Sequence, residues 1–383
     1  MIKLKDYLKK FWAQVVLITF FTTEAIHKIF LEVFYLKISL VQITKFSIIL
    51  VFIFLIYLKS KKQILHLLLL LAFFLIGQFY ISNGFRLEVL QSLGRFFLVI
   101  ILLIFASLYP LSPKAKNQLF VTFKNIMLVN ACLIFIAFAF QFNFLATYDI
   151  SFRFGYNGLF VSSATSSYAF LTFFILCYFR HTNQLSLKKD WSTILIIFSS
   201  LFVGTKAIYL GLVLISCLAF FKTNKLSIRA KGFSLLTVFV FGLFIFYITF
   251  IKIGDFNEIK EASGLLSAIL SFRNDLLINV TLPYINENWT VWNYLFGGTS
   301  NFDTRTQLGF LDVFYFWGVI GGICYFYIFQ QNFFRFRNTT ETLILLSIIS
   351  LIVFMGGNFF ESATAAIYIL ILREIFLSQQ TKS

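Results

Sequence analysis

Charge is scarce in this chain: 13% of its 383 residues are Asp, Glu, Lys or Arg. A water-soluble domain carries about 25% and relies on polar groups to cover its surface, which excludes an aqueous globular fold. Acids are the scarcer sign, with 16 Asp and Glu against 32 Lys and Arg. Only 3 His are present, and His27, His66 and His181 stand apart from one another, so no metal-ligand spacing arises. The four cysteines, Cys132, Cys177, Cys217 and Cys324, lie inside apolar blocks without paired spacing. They read as small buried hydrophobes, neither disulfides nor zinc ligands. Glycine-rich nucleotide loops and nucleophile elbows are also absent.

Apolar residues fill the space these absences leave. They make up 59% of the chain, the mean hydropathy is +0.87, and Phe alone occurs 55 times. The aromatic excess reads as a compositional bias of the source genome. Apolar residues come in blocks of about twenty, enough for a helix to cross ~30 Å of hydrocarbon. Barrel strands would alternate in short segments, and these blocks do not. The expected fold is therefore all-α and polytopic, one membrane domain over 1–383. The formal charge of +16 sits in short loops between spans, where it reads as a topology signal and not as a nucleic-acid surface.

Spans are expected at Phe11–Ile29, Ile38–Leu58, Ile64–Ser82, Val89–Tyr109, Leu119–Phe142, Leu159–Phe179, Gly232–Ile251, Leu308–Phe329, Thr342–Gly356 and Phe360–Phe376. The basic MIKLKDYLKK lacks a small-residue cleavage site after it and reads as the start of an uncleaved helix. Trp191–Phe221 is too short for two full spans and is interrupted by Gly204-Thr205-Lys206. It reads as two short helices meeting at Lys206, with one long tilted helix as the alternative. The total is about twelve spans by length. With the N-terminus inside, the Lys- and Arg-rich connectors fall on the cytoplasmic side, as do both termini. The one long polar stretch, 253–304, then lies outside. It has too few apolar residues for a core of its own, but Leu265, Leu266, Ile269, Leu270 and Leu276 have near-helical spacing. That spacing predicts an amphipathic helix lying on the membrane face.

Six cations fall on the outer side or in outer halves of spans, against the positive-inside bias: Arg86, Arg95, Arg153, Lys206, Arg273 and Arg305. An ionisable group at membrane depth is costly unless it is paired or faces a wet cavity. Taken singly, each has a plain reading as an ion pair or a snorkelling side chain. Taken together, they suit an anionic ligand such as a lipid-linked phosphate or pyrophosphate. The outer acids, among them Asp303 and Asp312, are candidate bases for a hydroxyl.

Three segments resemble the O-antigen and capsular polysaccharide polymerase family, which also includes the O-antigen ligases. RFGYNGLFVSSATSSYAF, from Arg153, is similar to that family's Arg-x-x-Gly segment. SSLFVGTKAIYLGLVL is similar to its Ser/Thr-Arg/Lys-small motif and places Lys206 at the cation. NYLFGGTSNFDTRTQLGFLDVFYFWGVIGG resembles its Phe-Gly-x-Gly turn followed by a helix ending Gly-Ile/Val-Ile-Gly. Gln307 and Gly309 stand where capsular members often carry Glu and Asp, and the loop has no His of the ligase kind. The missing His favours polymerase over ligase.

The resemblance implies a glycosyltransferase at the outer face of the bacterial cytoplasmic membrane. It would join undecaprenyl-pyrophosphate-linked oligosaccharide repeats and need neither metal nor cofactor. Arg153, Lys206 and Arg305 would hold the donor pyrophosphate, and Asp312 or Asp303 would activate the acceptor hydroxyl. The implied partners are the lipid-linked oligosaccharide, membrane lipid, a chain-length regulator and a flippase. The alternative reading is a transporter, such as a flippase for lipid-linked oligosaccharides. Transporters of that size often show internal repeats and matched broken helices, and no such repeat is evident.

Overall fold

A computed structural model describes residues 2–36, 40–81, 87–148, 154–183, 190–222 and 255–380. Fourteen helices are introduced here in chain order: α1 Ile2–Glu32, α2 Leu40–Lys59, α3 Lys61–Phe79, α4 Leu87–Leu108, α5 Pro113–Phe140 and α6 Ser163–Asn183. They continue with α7 Trp191–Ser199, α8 Lys206–Lys222, α9 Asp255–Leu270, α10 Arg273–Asn288, α11 Val291–Phe296, α12 Gly309–Phe333, α13 Thr340–Gly356 and α14 Ala363–Gln380. No strand occurs among the described residues, and the single isolated bridge joins Ala146 to Tyr156. The chain is all-α.

Among the described residues, six helices are long and apolar enough to cross a membrane, and the bent pair α9–α10, turning by 93°, makes a seventh if counted as one span. Two further apolar helices, Trp191–Phe202 and Thr340–Gly356, are shorter. This is a multi-pass membrane protein. The expected span at Gly232–Ile251 lies outside the described residues.

Local sequence explains where several helices begin and stop. Ser112 caps α5 by accepting from the Ala115 N–H, with Pro113 in the first turn where its missing N–H costs nothing. Asp190 caps α7 through Thr193 N–H. The expected interruption of Trp191–Phe221 is present: a short 3-10 turn ends at Phe202, Gly204 takes φ +75°, and α8 begins at Lys206. Only glycine adopts such a backbone without strain.

The core runs through α4, α6 and α14. Residues Leu98 to Ala106 of α4 are completely buried, as are most of Ala365 to Ile371 in α14. α4 packs on α2, α12 and α14, while α6 packs on α8 and α14. Aromatic rings fill the contacts: Phe52 stacks on Phe105 at 4.2 Å and Phe96 on Phe316 at 4.7 Å. Stacked and edge-on pairs of this kind add to simple burial. At the end of the bundle away from residues 255–304, a buried polar network ties α5, α12 and α14. Lys116 pairs with Glu374 at 2.9 Å, Arg373 pairs with Glu374, and the Arg373 Nε donates to Asn332 O at 2.7 Å.

The described part of the polar stretch, 255–304, folds as the connected helices α9, α10 and α11. Along α9, Leu265 and Leu266 are exposed, while Ser267 and Ala268 turn inward. The inward side is set by hydrogen bonding: Asn274 Nδ2 donates to Ser267 Oγ at 2.7 Å.

Candidate functional site

Backbone-to-backbone contacts join the first two motif segments to each other and pack the third on itself and on α3. In the first, Phe154-Gly155 lies against Val203-Gly204. Tyr156 N–H donates to Phe202 O at 2.8 Å, and Thr147 Oγ1 donates to Val203 O at 2.8 Å. A Cβ on Gly204 would fall 2.0 Å from Phe154 O. In the second, the Phe296-Gly297-Gly298 turn wedges between Gly77 of α3 and Gly318 of α12. Gly318 breaks α12 with φ +68°, and a Cβ on Gly297 would sit 2.3 Å from Phe316 O. Asn293 locks this contact by donating to Gly77 O and Gly297 O, each at 2.8 Å. These glycines are steric requirements of the packing.

Just past that turn the chain carries Asp303, Arg305 and Asp312. Arg305 is mostly buried and heavily engaged. Its Nε donates to Glu361 Oε1 at 2.8 Å, Nη1 to Phe302 O at 3.0 Å and Nη2 to Asn358 Oδ1 at 3.1 Å. Its guanidinium also lies over the Phe302 ring, 4.5 Å from the centroid. Arg305 therefore clamps the long polar segment onto the α13–α14 connector. The second oxygen of Glu361, Oε2, is buried without a hydrogen-bond partner among the described residues.

The two carboxylates proposed from the sequence occupy opposite environments. Asp303 has a side chain 88% exposed, with Oδ1 3.7 Å from Arg305 Nη1. Asp312 is 1% exposed, and its Oδ1 accepts from Thr306 Oγ1 at 2.8 Å and from Gln307 N–H at 3.0 Å. That brace holds the strained entry to α12, where Gln307 has φ +58°. Asp303 can meet a substrate directly, whereas Asp312 acts through the turn it holds.

Lys206 and Arg273 are engaged with helix ends. Lys206, the first residue of α8, donates to Ala268 O at 2.5 Å, Ile269 O at 3.4 Å and Ser271 Oγ at 3.1 Å. These are the carbonyls that the end of α9 leaves unbonded, where a cation is favoured. Arg273 does the same for α13, reaching Met355 O at 2.6 Å and Gly356 O at 3.1 Å. Beside it, the Tyr168 hydroxyl donates to Gly357 O.

Arg95 differs from all of these. It projects from the third turn of α4, within electrostatic reach of Glu361, Arg305 and Asp303, and is both accessible and crowded by protein. Its guanidinium donates no hydrogen bond to any described residue. Lys45 of α2 stands beside it, close enough for the two cations to repel, and it likewise has no hydrogen-bonded acceptor among the described residues. Lys45 also feels Glu24 of α1, which accepts from Thr364 Oγ1 of α14. Helices α1, α2, α4 and α14 and the Arg305–Glu361 clamp thus surround one polar patch.

Of the residues singled out by sequence, Arg305 and Asp303 come together at 3.7 Å with Arg95 within electrostatic reach, and Asp312 braces the turn that follows them. Lys206 and Arg273 tie the α9–α10 segment down instead. Arg86 and Arg153 lie outside the described residues. Sequence reasoning passed over Lys45, Glu24 and Glu361. A signal was available for each, because the rule that picks out Arg95, a charge inside an apolar block, applies equally to Lys45 and Glu361. Lys28 was also missed as a buried cation. It is 4% exposed and donates to Asn157 Oδ1 at 2.5 Å, Gly158 O at 2.8 Å and Phe160 O at 3.0 Å, fixing the turn before α6.

The chain matches no family model, no curated protein and no solved structure.

Proposed function

We propose that this chain is a polysaccharide polymerase, a glycosyltransferase that joins undecaprenyl-pyrophosphate-linked oligosaccharide repeats at the outer face of a bacterial cytoplasmic membrane. In this reading it has about twelve spans, both termini in the cytoplasm and residues 253–304 outside. The observation that carries the reading is Arg95. A guanidinium offers five N–H donors and no acceptor. Holding one at membrane depth without a protein hydrogen-bond partner is costly unless a ligand completes the site. The ligand it suits best is a planar, multiply charged oxyanion, which an arginine grips at two points.

The chemistry follows from the neighbours. The acceptor hydroxyl attacks the anomeric carbon of the donor sugar, the bond from that carbon to the pyrophosphate oxygen breaks, and the hydroxyl proton passes to a carboxylate. Arg95, with Arg153 as a further donor, stabilises charge growing on the departing lipid pyrophosphate. Arg305 shapes the same wall, because Glu361 and Asn358 fix its plane. Asp303 is the accessible carboxylate and takes the proton, with its Oδ1 3.7 Å from Arg305 Nη1. The glycine contacts hold α3, α12 and the polar segment in register, so that these groups stay aligned.

The test is Arg95→Ala in cells that make the polymer. Chain extension should stop while the protein still reaches the membrane, and lipid-linked single repeats should collect on the outer face. Accumulation on the inner face would make it a flippase, and normal polymer would remove the anion site.

A further inference from the structure

An apolar groove of about 360 Å³ runs between α1 and α2, lined on α1 by Phe11, Trp12, Val15, Val16 and Thr19, and on α2 by Thr44, Ser47, Ile48, Val51 and Phe52. The two helices are antiparallel, so Thr19 and Thr44 mark one end of the groove and Trp12 and Phe52 the other. At a rise of 1.5 Å per residue, that run is about 12 Å along the helix axis. Divided over that length, the volume leaves a channel one hydrocarbon chain wide. Its walls are apolar even at Ser47, whose hydroxyl is bonded to Ile43 O at 2.9 Å.

The channel does not end in bulk membrane. At its Thr19–Thr44 end sits Lys45, next in sequence to a lining residue and 5.9 Å from the Phe20 ring centroid. Arg95 lies beyond it on α4, which packs on α2 along the seam where Gln42 meets Gln91 at 3.4 Å. Two cations, neither with a hydrogen-bonded acceptor among the described residues, stand where an apolar chain would meet its head group. An uncharged lipid offers neither of them an acceptor. A phosphate ester offers one to both, while its chain lies along the groove.

We propose that the α1–α2 groove seats the prenyl chain of a polyprenyl pyrophosphate, with Lys45 meeting its pyrophosphate on the side opposite Arg305. This rests on the reading of the Arg95 site given above. It adds the direction of approach: the lipid enters laterally between α1 and α2, and the sugar it carries points toward Asp303.

The experiment uses the full-length protein in phosphatidylcholine nanodiscs and a polyprenyl pyrophosphate carrying a diazirine in its chain. Illumination should label peptides from 11–19 and 44–52. Ser47→Trp, which fills the groove, should abolish that labelling. Lys45→Gln should weaken binding about tenfold, the loss of one hydrogen bond to a charged group. Leu50→Trp, on the exposed side of α2 and outside the groove lining, should label as the parent does, showing that loss in Ser47→Trp comes from filling the groove. Tight binding with labels elsewhere would overturn the groove and leave the polymerase reading standing. Failure of the probe to bind at all would remove both. Equal displacement by phosphatidylglycerol would make the groove a seat for ordinary lipid and overturn the proposal.

Discussion

Gly297→Ala tests the central packing contact, and its cost can be worked from geometry. The new Cβ would meet Phe316 O at 2.3 Å, Phe316 C at 2.5 Å and Gly318 N at 2.6 Å. All three are backbone atoms, so no side-chain rotation relieves the clash and α12 itself must shift. Overpacking of this kind costs about 1–3 kcal/mol. The backbone at φ +72°, ψ −150° is in a region essentially reserved for glycine and adds about 1–3 kcal/mol.

Two other glycines separate these contributions. Gly264 has φ +86° and nothing within 4 Å of a built Cβ, so Gly264→Ala carries only the conformational cost. Gly94 lies in α4 with a single ordinary contact at 3.9 Å, so Gly94→Ala should be neutral or stabilising by up to about 1 kcal/mol. At about 2–4 °C per kcal/mol for chains of 150–250 residues, and less for a longer one, Gly297→Ala should melt several degrees below the parent. Thermal unfolding in detergent, followed by tryptophan fluorescence, gives the three midpoints. The expected order is Gly94→Ala at or above the parent, then Gly264→Ala, then Gly297→Ala lowest. If Gly297→Ala melts no lower than Gly264→Ala, the close backbone approach between α12 and the 296–298 turn is wrong.

Lys206→Gln should loosen the end of α9 without unfolding the bundle, and hydrogen exchange in 265–276 should rise sharply while α4 stays protected. Unchanged exchange there would mean that Lys206 does not hold that segment. The two candidate carboxylates should separate cleanly. Asp303→Asn should abolish polymer formation with stability within about 0.5 kcal/mol of the parent, as expected for an exposed position. Asp312→Ala should lower stability by about 1–3 kcal/mol, since it leaves the Thr306 hydroxyl and the Gln307 N–H unpaired. An Asp303→Asn protein that still extends chains would move the base elsewhere.

The helices were legible because about twenty apolar residues in a row have few alternatives in a bilayer. The break before Lys206 was legible because glycine next to a charge in a short apolar run admits few other readings. The partners of the cations were not. Lys206, Arg273 and Lys28 bind mainly to backbone carbonyls, which every residue carries, so no side-chain pattern announces them. The Arg305–Glu361 pair is separated by 56 residues and needs the fold to bring it together. Lys45 was visible as a charge in an apolar block, but its meaning depends on α2 packing beside α4, which the sequence does not state.

The cations that fasten residues 255–304 to the bundle have a consequence for how such a protein can diversify. Lys206 grips the carbonyls of Ala268 and Ile269, and Arg273 those of Met355 and Gly356. A grip on main-chain oxygen ignores what side chain sits above it. The exposed surface of this segment, with Leu265 and Leu266 turned away from the protein, can change its side chains without re-engineering the attachment. Surface and anchorage are thereby uncoupled, and each is open to change while the other stays fixed.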